Sequence, residues 1–513
     1  MTPVWVVTAA QAAARDERAI AAGTPSRELM KAAGRAAAAE LLRHAHGRAS
    51  AGVDIYAGGG NNGGDAWVVA GVLSAAGFPV RVHEIETPHT ADAAAERLEA
   101  VRVVQRATHP GGRPGVVVDG LLGTGARGAP RGAMAQACAL IDAARVGGAY
   151  VVALDVPSGL DATTGAHEGA PRADLTVTFG TIKRGQLLAR DWCGAIVVVD
   201  IGLGAHAALD DDAPLLADAA WVRAVVPRIG ADAHKGVRGK VAMVGGAHGM
   251  VGAVLLAGRA ALRSGVGLVK LVVDPANIDL VQRALPEALA APWPTDDDAA
   301  AELGAWGDAL LIGPGLGRGA HARALVERCL RGSTVPVVID ADALNAFEGE
   351  PAAFAPLIGA RRALLTPHPL EFARLSGIDA AAVNAGRFEV SRQLARVTGA
   401  AVLLKGVPTV VTAPDGRSVV SASGTPVLGQ GGSGDLLAGI AVTLMAQLGS
   451  ALEAGAAAAW VHGRAAELAA PDGEIRGVTL DNVLDALREA WKLEPAPRTP
   501  HVMAELAAVG ERW

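Results

Sequence analysis

The sequence predicts two α/β domains in tandem, each a mostly parallel sheet layered between helices. Three observations lead there. The chain has 513 residues, more than a single hydrophobic core ordinarily serves. Two long segments alternate short β-rich runs with Ala-rich helical stretches, the pattern of helices covering a parallel sheet. A short acidic, Ala-rich stretch at 205–214, with Asp210, Asp211 and Asp212, reads as the linker between them.

In the first segment the expected strands are 53–56, 80–85, 116–119, 150–155, 175–179 and 196–200. In the second they are 241–244, 269–273, 309–312, 337–340, 364–366 and 402–405. Most end in Gly, Asp or Thr, at the carboxyl edge where open α/β sheets bind ligands. The domains are therefore expected at 1–210 and 218–493, with 494–513 a Pro-rich, then weakly helical, tail.

Composition narrows the function. Apolar residues are 51% and charged residues 19%, a globular balance. Net charge is −6 with no basic run, and 9 Trp, 6 Phe and 2 Tyr leave little for base stacking; nucleic acid is not an expected partner. Backbone amides can still bind an anionic small molecule. Cys138, Cys193 and Cys329 have neither metal nor disulfide spacing and read as buried small hydrophobes in a reduced compartment. The N-terminus lacks a basic region, and the apolar run 436–445 is too short to span a bilayer. The expectation is a cytoplasmic protein with no membrane partner; a homo-oligomer stays open.

Two regions carry chemistry. In the first, Gly58-Gly59-Gly60-Asn61-Asn62-Gly63-Gly64-Asp65 follows a strand and precedes a helical stretch expected at 66–76. Glycines there let backbone approach a phosphate, while paired Asn and an Asp add side-chain hydrogen bonds a plain phosphate loop lacks. Asp119-Gly120-Leu121-Leu122-Gly123-Thr124-Gly125-Ala126-Arg127-Gly128 ends another strand. Asp155 ends a third before Pro157-Ser158-Gly159, as either a turn cap or a functional carboxylate.

In the second, Gly431-Gly432-Ser433-Gly434-Asp435 runs into a helical stretch expected at 436–448. Amides at such a helix start favour developing phosphoryl charge, and Asp435 can accept a hydroxyl proton; the plain alternative is a capped helix. Gly313-Pro314-Gly315-Leu316-Gly317, Asp340-Ala341-Asp342 with Asn345, Thr366-Pro367-His368-Pro369 and Lys405-Gly406 end four more strands. His368, between prolines, is restrained and expected to be exposed.

These runs, with Leu29-Met30-Lys31-Ala32-Ala33-Gly34, Thr178-Phe179-Gly180 and Lys183, make residues 4–204 resemble NAD(P)H-hydrate epimerases, a Rossmann-like αβα sandwich. The resemblance implies that Asn61, Asn62, Gly63, Gly64, Asp65, Gly123, Thr124, Gly125, Ala126, Arg127, Gly128 and Ala129 hold the hydrate. It puts Asp155 at the reacting centre with Lys183 in support, and K⁺ on Asn62, Asp119 and Ser158. Small residues at Ala57–Gly59 and Ala66 depart from the usual pattern.

Residues 218–490 resemble ribokinase-like NAD(P)H-hydrate dehydratases, with His234-Lys235-Gly236-Val237-Arg238-Gly239, Gly245-Gly246 and Arg259–Gly265 matching as well. That implies hydrate contacts at Ala253, Gly317, His368 and Asp435. Nucleotide contacts would come from Lys405, Gly406, Val407, Pro408, Thr409 and Gly434, with ADP and Mg²⁺ as the phosphoryl source. Leu370 and Gly424-Thr425-Pro426 depart from the pattern. The implied function is nicotinamide-nucleotide repair, with NADH and NADPH hydrates and ADP as small-molecule partners. A vitamin-precursor kinase fused to a dinucleotide-binding domain is the alternative; a non-catalytic scaffold and an ordinary dehydrogenase fit less well, the latter for want of a G-x-G-x-x-G turn.

Overall fold

All twelve expected strands form, each within two residues of its predicted ends. The computed structural model describes residues 3–104, 113–209, 211–471, 473–493 and 499–510; Asp210 and the tail residues 494–498 and 511–513 lie outside them. The chain divides into two compact units, built on Met1–Leu215 and Leu216–Pro495, and the described residues 499–509 return to the first.

The first unit holds a seven-stranded sheet among the described residues, in the order Val502–Leu506, Ala195–Val199, Leu175–Phe179, Tyr150–Leu154, Val116–Gly120, Val53–Ala57, Val80–Glu84. Every neighbouring pair but the first is parallel. Alternation along the strands builds a core on each face. Ile55, Val118, Val152 and Val177 pack with Ala37, Leu41 and Val69 of the helices Ser26–Ala49 and Asn61–Ala75. Tyr56, Val117, Val151 and Ala153 pack with Cys138 and Ile141 of the helix Gly132–Val146. The strand order reverses between Val53–Ala57 and Val116–Gly120, which opens a crevice at their carboxyl ends.

One expectation is corrected here. The tail is a strand, not a weak helix: Val502–Leu506 pairs antiparallel with Ala195–Val199 and buries Ala504 completely. Alternating Val502, Ala504 and Leu506 supply the face that an otherwise bare sheet edge needs. The acidic stretch, next to the unit boundary, is held to the first unit. Arg15, with no exposed surface, donates to Ala207 O at 2.7 Å and to both oxygens of Asp211 at 2.8 and 3.2 Å. A buried guanidinium requires such a bidentate partner.

Among the described residues the second unit holds nine whole strands of one sheet, seven parallel and two antiparallel. Its parallel part runs Leu289–Pro292, Leu268–Val273, Lys240–Val244, Ala309–Ile312, Val337–Ile339, Ala363–Leu365, Ala401–Leu404, with the order reversing between Lys240–Val244 and Ala309–Ile312. An antiparallel hairpin, Thr409–Thr412 and Ser418–Ser421, extends it. One face packs on Leu325, Val326, Cys329 and Leu330 of the helix Ala320–Arg331. As in the Ala-rich core of the first unit, the helices Val251–Arg263 and Ser433–Gln447 meet through small residues. A β-carbon on Gly439 would lie 2.1 Å from Ala257 O, which is why Ala and Gly dominate the chain. The three cysteines are free and buried, and burial pushes each thiol up to about 12. No helix among the described residues is long and apolar enough to cross a membrane.

Candidate active sites at two sheet edges

In the first unit the Asn-Asn-Gly-Gly-Asp run is not a loop ahead of a helix. The helix starts at Asn61 and extends to Ala75, so the run forms its first turn and a half. The glycines are required there by contact: β-carbons on Gly63 and Gly58 would lie 1.8 Å from Gly58 O and 2.0 Å from Leu121 O. Asn62 is buried and donates through Nδ2 to Leu122 O at 3.1 Å, while its Oδ1 has no donor. Asp119, wholly buried, accepts Ser158 Oγ at 2.5 Å, Ser158 N at 2.8 Å and Leu121 N at 3.3 Å. Burial raises its pKa against the opposing pull of those hydrogen bonds.

The strand Tyr150–Leu154 stops one residue short of expectation because Asp155 turns to φ 63°. Such a conformation costs energy for a non-glycine residue, and Gln186 Nε2 clamps it through Asp155 O at 2.7 Å. Asp155 Oδ1 accepts Lys183 Nζ at 2.5 Å, Thr178 Oγ1 at 3.2 Å and Phe179 N at 3.4 Å. Lys183, 3% exposed, also donates to Thr178 Oγ1 at 2.9 Å and towards Phe179 O. Asp65 is buried in the same neighbourhood, and burial, then repulsion from Asp155 and Asp16, drives its pKa well above the carboxylate range. Gly123 lies against Asn62, whereas Gly125, Arg127, Gly128 and Ala129 lie on an exposed loop.

Sequence reasoning missed Asp16 and Gln186, and it quoted Thr178 without giving it a role. Asp16 sits on the helix Ala9–Ala21, and no motif surrounds it. The short parallel strand pair Val6–Val7 with Ile182–Lys183 brings that helix to the site.

In the second unit the helix Ser433–Gln447 begins at Ser433, three residues before its expected start, with Gly432 at φ 95° as its N-cap. Asp435 lies in the first turn. Burial, then repulsion from Asp340, pushes its carboxyl up to about 7 against attraction from Lys405. Lys405 Nζ donates to Asp340 Oδ1 at 2.6 Å, and Asp340 is 1% exposed. Burial opposes the Lys405 charge, but Asp340 and Glu371 outweigh it and raise its pKa. A β-carbon on Gly434 would stand 3.2 Å from Lys405 Nζ, so the Gly-rich turn and the Lys share one edge.

His368 is restrained as well as exposed, as expected. Its side chain is 44% exposed, and its Nδ1 accepts Leu370 N at 3.1 Å and Glu371 N at 3.3 Å as the N-cap of the helix Pro369–Ser376. Glu371 completes a capping box by accepting His368 N at 2.9 Å. Burial, then Lys405, lowers the His368 pKa, so a neutral ring carries its proton on Nε2. Ala341, at φ 51°, is with Asp155 one of two described non-glycine residues in the left-handed region, and it separates Asp340 from Asp342. Asp342 accepts Gly317 N at 3.0 Å, and Ala253 packs by Gly315. Lys405 O and Pro408 O are gripped by buried Arg387 at 3.0 and 3.2 Å; Gly406 and Val407 are exposed. Glu371 and Arg387 were missed. The His-Pro-Leu-Glu spacing could have flagged the first; nothing local marks the second.

Both halves match known families. Residues 241–489 match the family described as NAD(P)H-hydrate dehydratase, and residues 26–185 match the YjeF-related protein N-terminus. The bifunctional NAD(P)H-hydrate repair enzyme Nnr of Coxiella burnetii is 35% identical over 483 residues, covering 92% of this chain and 96% of that one. The chain belongs to the bifunctional NAD(P)H-hydrate repair enzymes. The Moorella thermoacetica member is 36% identical, with 94% and 96% of the two chains covered. A Bacillus subtilis ADP/ATP-dependent NAD(P)H-hydrate dehydratase, crystallised with ATP/Mg²⁺, is 31% identical at a TM-score of 0.49, covering 54% of this chain and 98% of its own. Each repair-family segment contains one of the two edge sites, and a vitamin-precursor kinase is not favoured.

Proposed function

We propose that the two edges carry the two halves of NAD(P)H-hydrate repair: the first epimerises the R and S hydrates at carbon six, and the second dehydrates the S form with ADP. The observation that carries the proposal is Asp435, a carboxyl pushed up to about 7 in the first turn of a glycine-started helix. A general base works best with its pKa near the operating pH.

In the dehydratase half Asp435 takes the proton of the six-hydroxyl as the phosphoryl group of ADP passes to that oxygen, leaving AMP. The amides at Gly431–Gly434 and the Lys405 ammonium stabilise the charge in flight. Loss of phosphate from carbon six and of a proton from carbon five restores the reduced ring. Ala253, Gly317 and His368 would hold the hydrate; Lys405, Gly406, Val407, Pro408, Thr409 and Gly434 would hold the nucleotide. Mg²⁺ usually takes one or two carboxylates alongside phosphate oxygens, and Asp340, Asp342 and Asp435 are carboxylates whose charges meet here.

In the epimerase half Asn61–Asp65 and Gly123–Ala129 would cradle the hydrate, with Asp155 and Lys183 handling protons at carbon six. The fit for K⁺ rests on the donor-free Asn62 Oδ1 beside Leu122, whose carbonyl and amide engage Asn62 and Ser158. With Asp119 and Ser158 this is an all-oxygen set suited to a hard cation. Such an ion would supply fixed positive charge for the nucleotide phosphates.

The test uses a mixed R/S hydrate preparation with ADP and Mg²⁺. Recovery of reduced-nicotinamide absorbance from both forms is expected. Phosphorylation of a vitamin precursor without hydrate turnover would refute it.

A further inference from the structure

Three carboxylates, Asp16, Asp65 and Asp155, surround the single ammonium of Lys183, each interacting electrostatically with it or with one another. Fully ionised, they would leave two uncompensated negative charges in a largely buried place. Like charges so placed do not all ionise together.

The members differ in how they are held. Asp155 is ion-paired to Lys183. Asp65 is buried, and that burial, then repulsion from Asp155 and Asp16, raises its carboxyl. Asp16 is half-buried and makes no hydrogen bond or ion pair among the described residues. Burial, then Asp155 and Glu17 against Lys183, pushes its carboxyl up to about 6.

Its position is built rather than incidental. Val7 pairs in register with Lys183, which starts the helix Ala9–Ala21 beside that lysine. Ala9 N is fixed by Thr163 Oγ1 at 3.0 Å. One residue before Asp16, the Arg15 clamp on Asp211 and Ala207 O locks the helix rotation. The groups facing Asp16 are Lys183, Asp155, Asp65 and the flanking Glu17. Asp16 lies ahead of the matched family segment, which begins at residue 26.

We infer that Asp16 is the acid partner of Asp155 in epimerisation. Resting on the epimerase reading above, the step balances as follows. Asp16 gives its proton to the six-hydroxyl as the C6–O bond breaks, and the ring-nitrogen lone pair forms the C6=N iminium, releasing water. Water adds to the opposite face of carbon six and yields a proton to Asp155. A proton passing from Asp155 back to Asp16 restores the start.

The test measures R-to-S exchange without ADP against pH in the full chain. In the wild type the rate should fall as pH rises above about 6, where Asp16 loses its proton. Asp16→Asn should lower kcat about 100-fold at unchanged KM, with that alkaline fall gone and dehydration of the S form unaffected. Wild-type exchange that Asp16→Asn leaves untouched overturns the inference alone, as does a slowed variant that keeps the wild-type pH profile. Should Asp16→Asn not fold, Asp16→Glu decides: a displaced alkaline fall supports the role, and an undisplaced one overturns it. A wild type that exchanges nothing refutes the epimerase reading itself.

Discussion

Replacing Asp435 by Asn should trade activity for stability, and both sides can be sized. The carboxyl is raised from its ordinary 3.8 to about 7. Between those values the native state holds a proton that the unfolded chain has released, so stability falls as pH rises from about 4 to about 7 and then levels off. At 1.36 kcal/mol per pH unit this penalty approaches about 4 kcal/mol in alkaline solution. It is absent below pH ~4, where both states are protonated. Asn cannot ionise and removes the penalty, so urea denaturation should find the variant more stable at pH 8 and little changed at pH 4. Loss of the general base should lower dehydration about 10²–10⁴-fold, or roughly 3–5 kcal/mol of barrier. The wild-type rate should rise with pH through about 7 as Asp435 becomes able to accept a proton. Turnover within tenfold of wild type, or a stability difference independent of pH, would refute the assignment of a desolvated, catalytic carboxylate.

Lys405→Met strands Asp340, which is 1% exposed; a loss of roughly 3–5 kcal/mol is expected by urea denaturation, along with nucleotide binding by calorimetry. Asn62→Ala removes the donor-free Oδ1 and one hydrogen bond to Leu122 O. Stability should drop by about 1 kcal/mol, and any K⁺ stimulation of R-to-S exchange, titrated against Li⁺, should vanish. Gly63→Ala must displace Gly58 O from 1.8 Å; exchange should be lost and the first unit destabilised by roughly 1–3 kcal/mol, with dehydration retained in the same preparation.

The sequence alone determined the alternation of strands and helices, the two sheet edges and most of the carboxylates at them. These are local: a β-rich run ending in Gly or Asp announces both a strand and its ligand-facing end. The Asn-Asn-Gly-Gly-Asp and Gly-Gly-Ser-Gly-Asp runs were legible because close backbone approach at a strand-to-helix junction demands glycine at fixed places. What the sequence missed depended on distant segments. Asp16 comes within electrostatic range of Lys183 because distant segments meet, Val6–Val7 pairing with Ile182–Lys183. The tail is a strand only because Ala195–Val199 leaves an edge to fill. Arg387 meets Lys405 O through a fold-dependent turn. Tertiary structure also set the charge states. Asp435 and Asp16 are ordinary aspartates in sequence, and their raised pKa values arise from burial beside other carboxylates, which no spacing along the chain encodes.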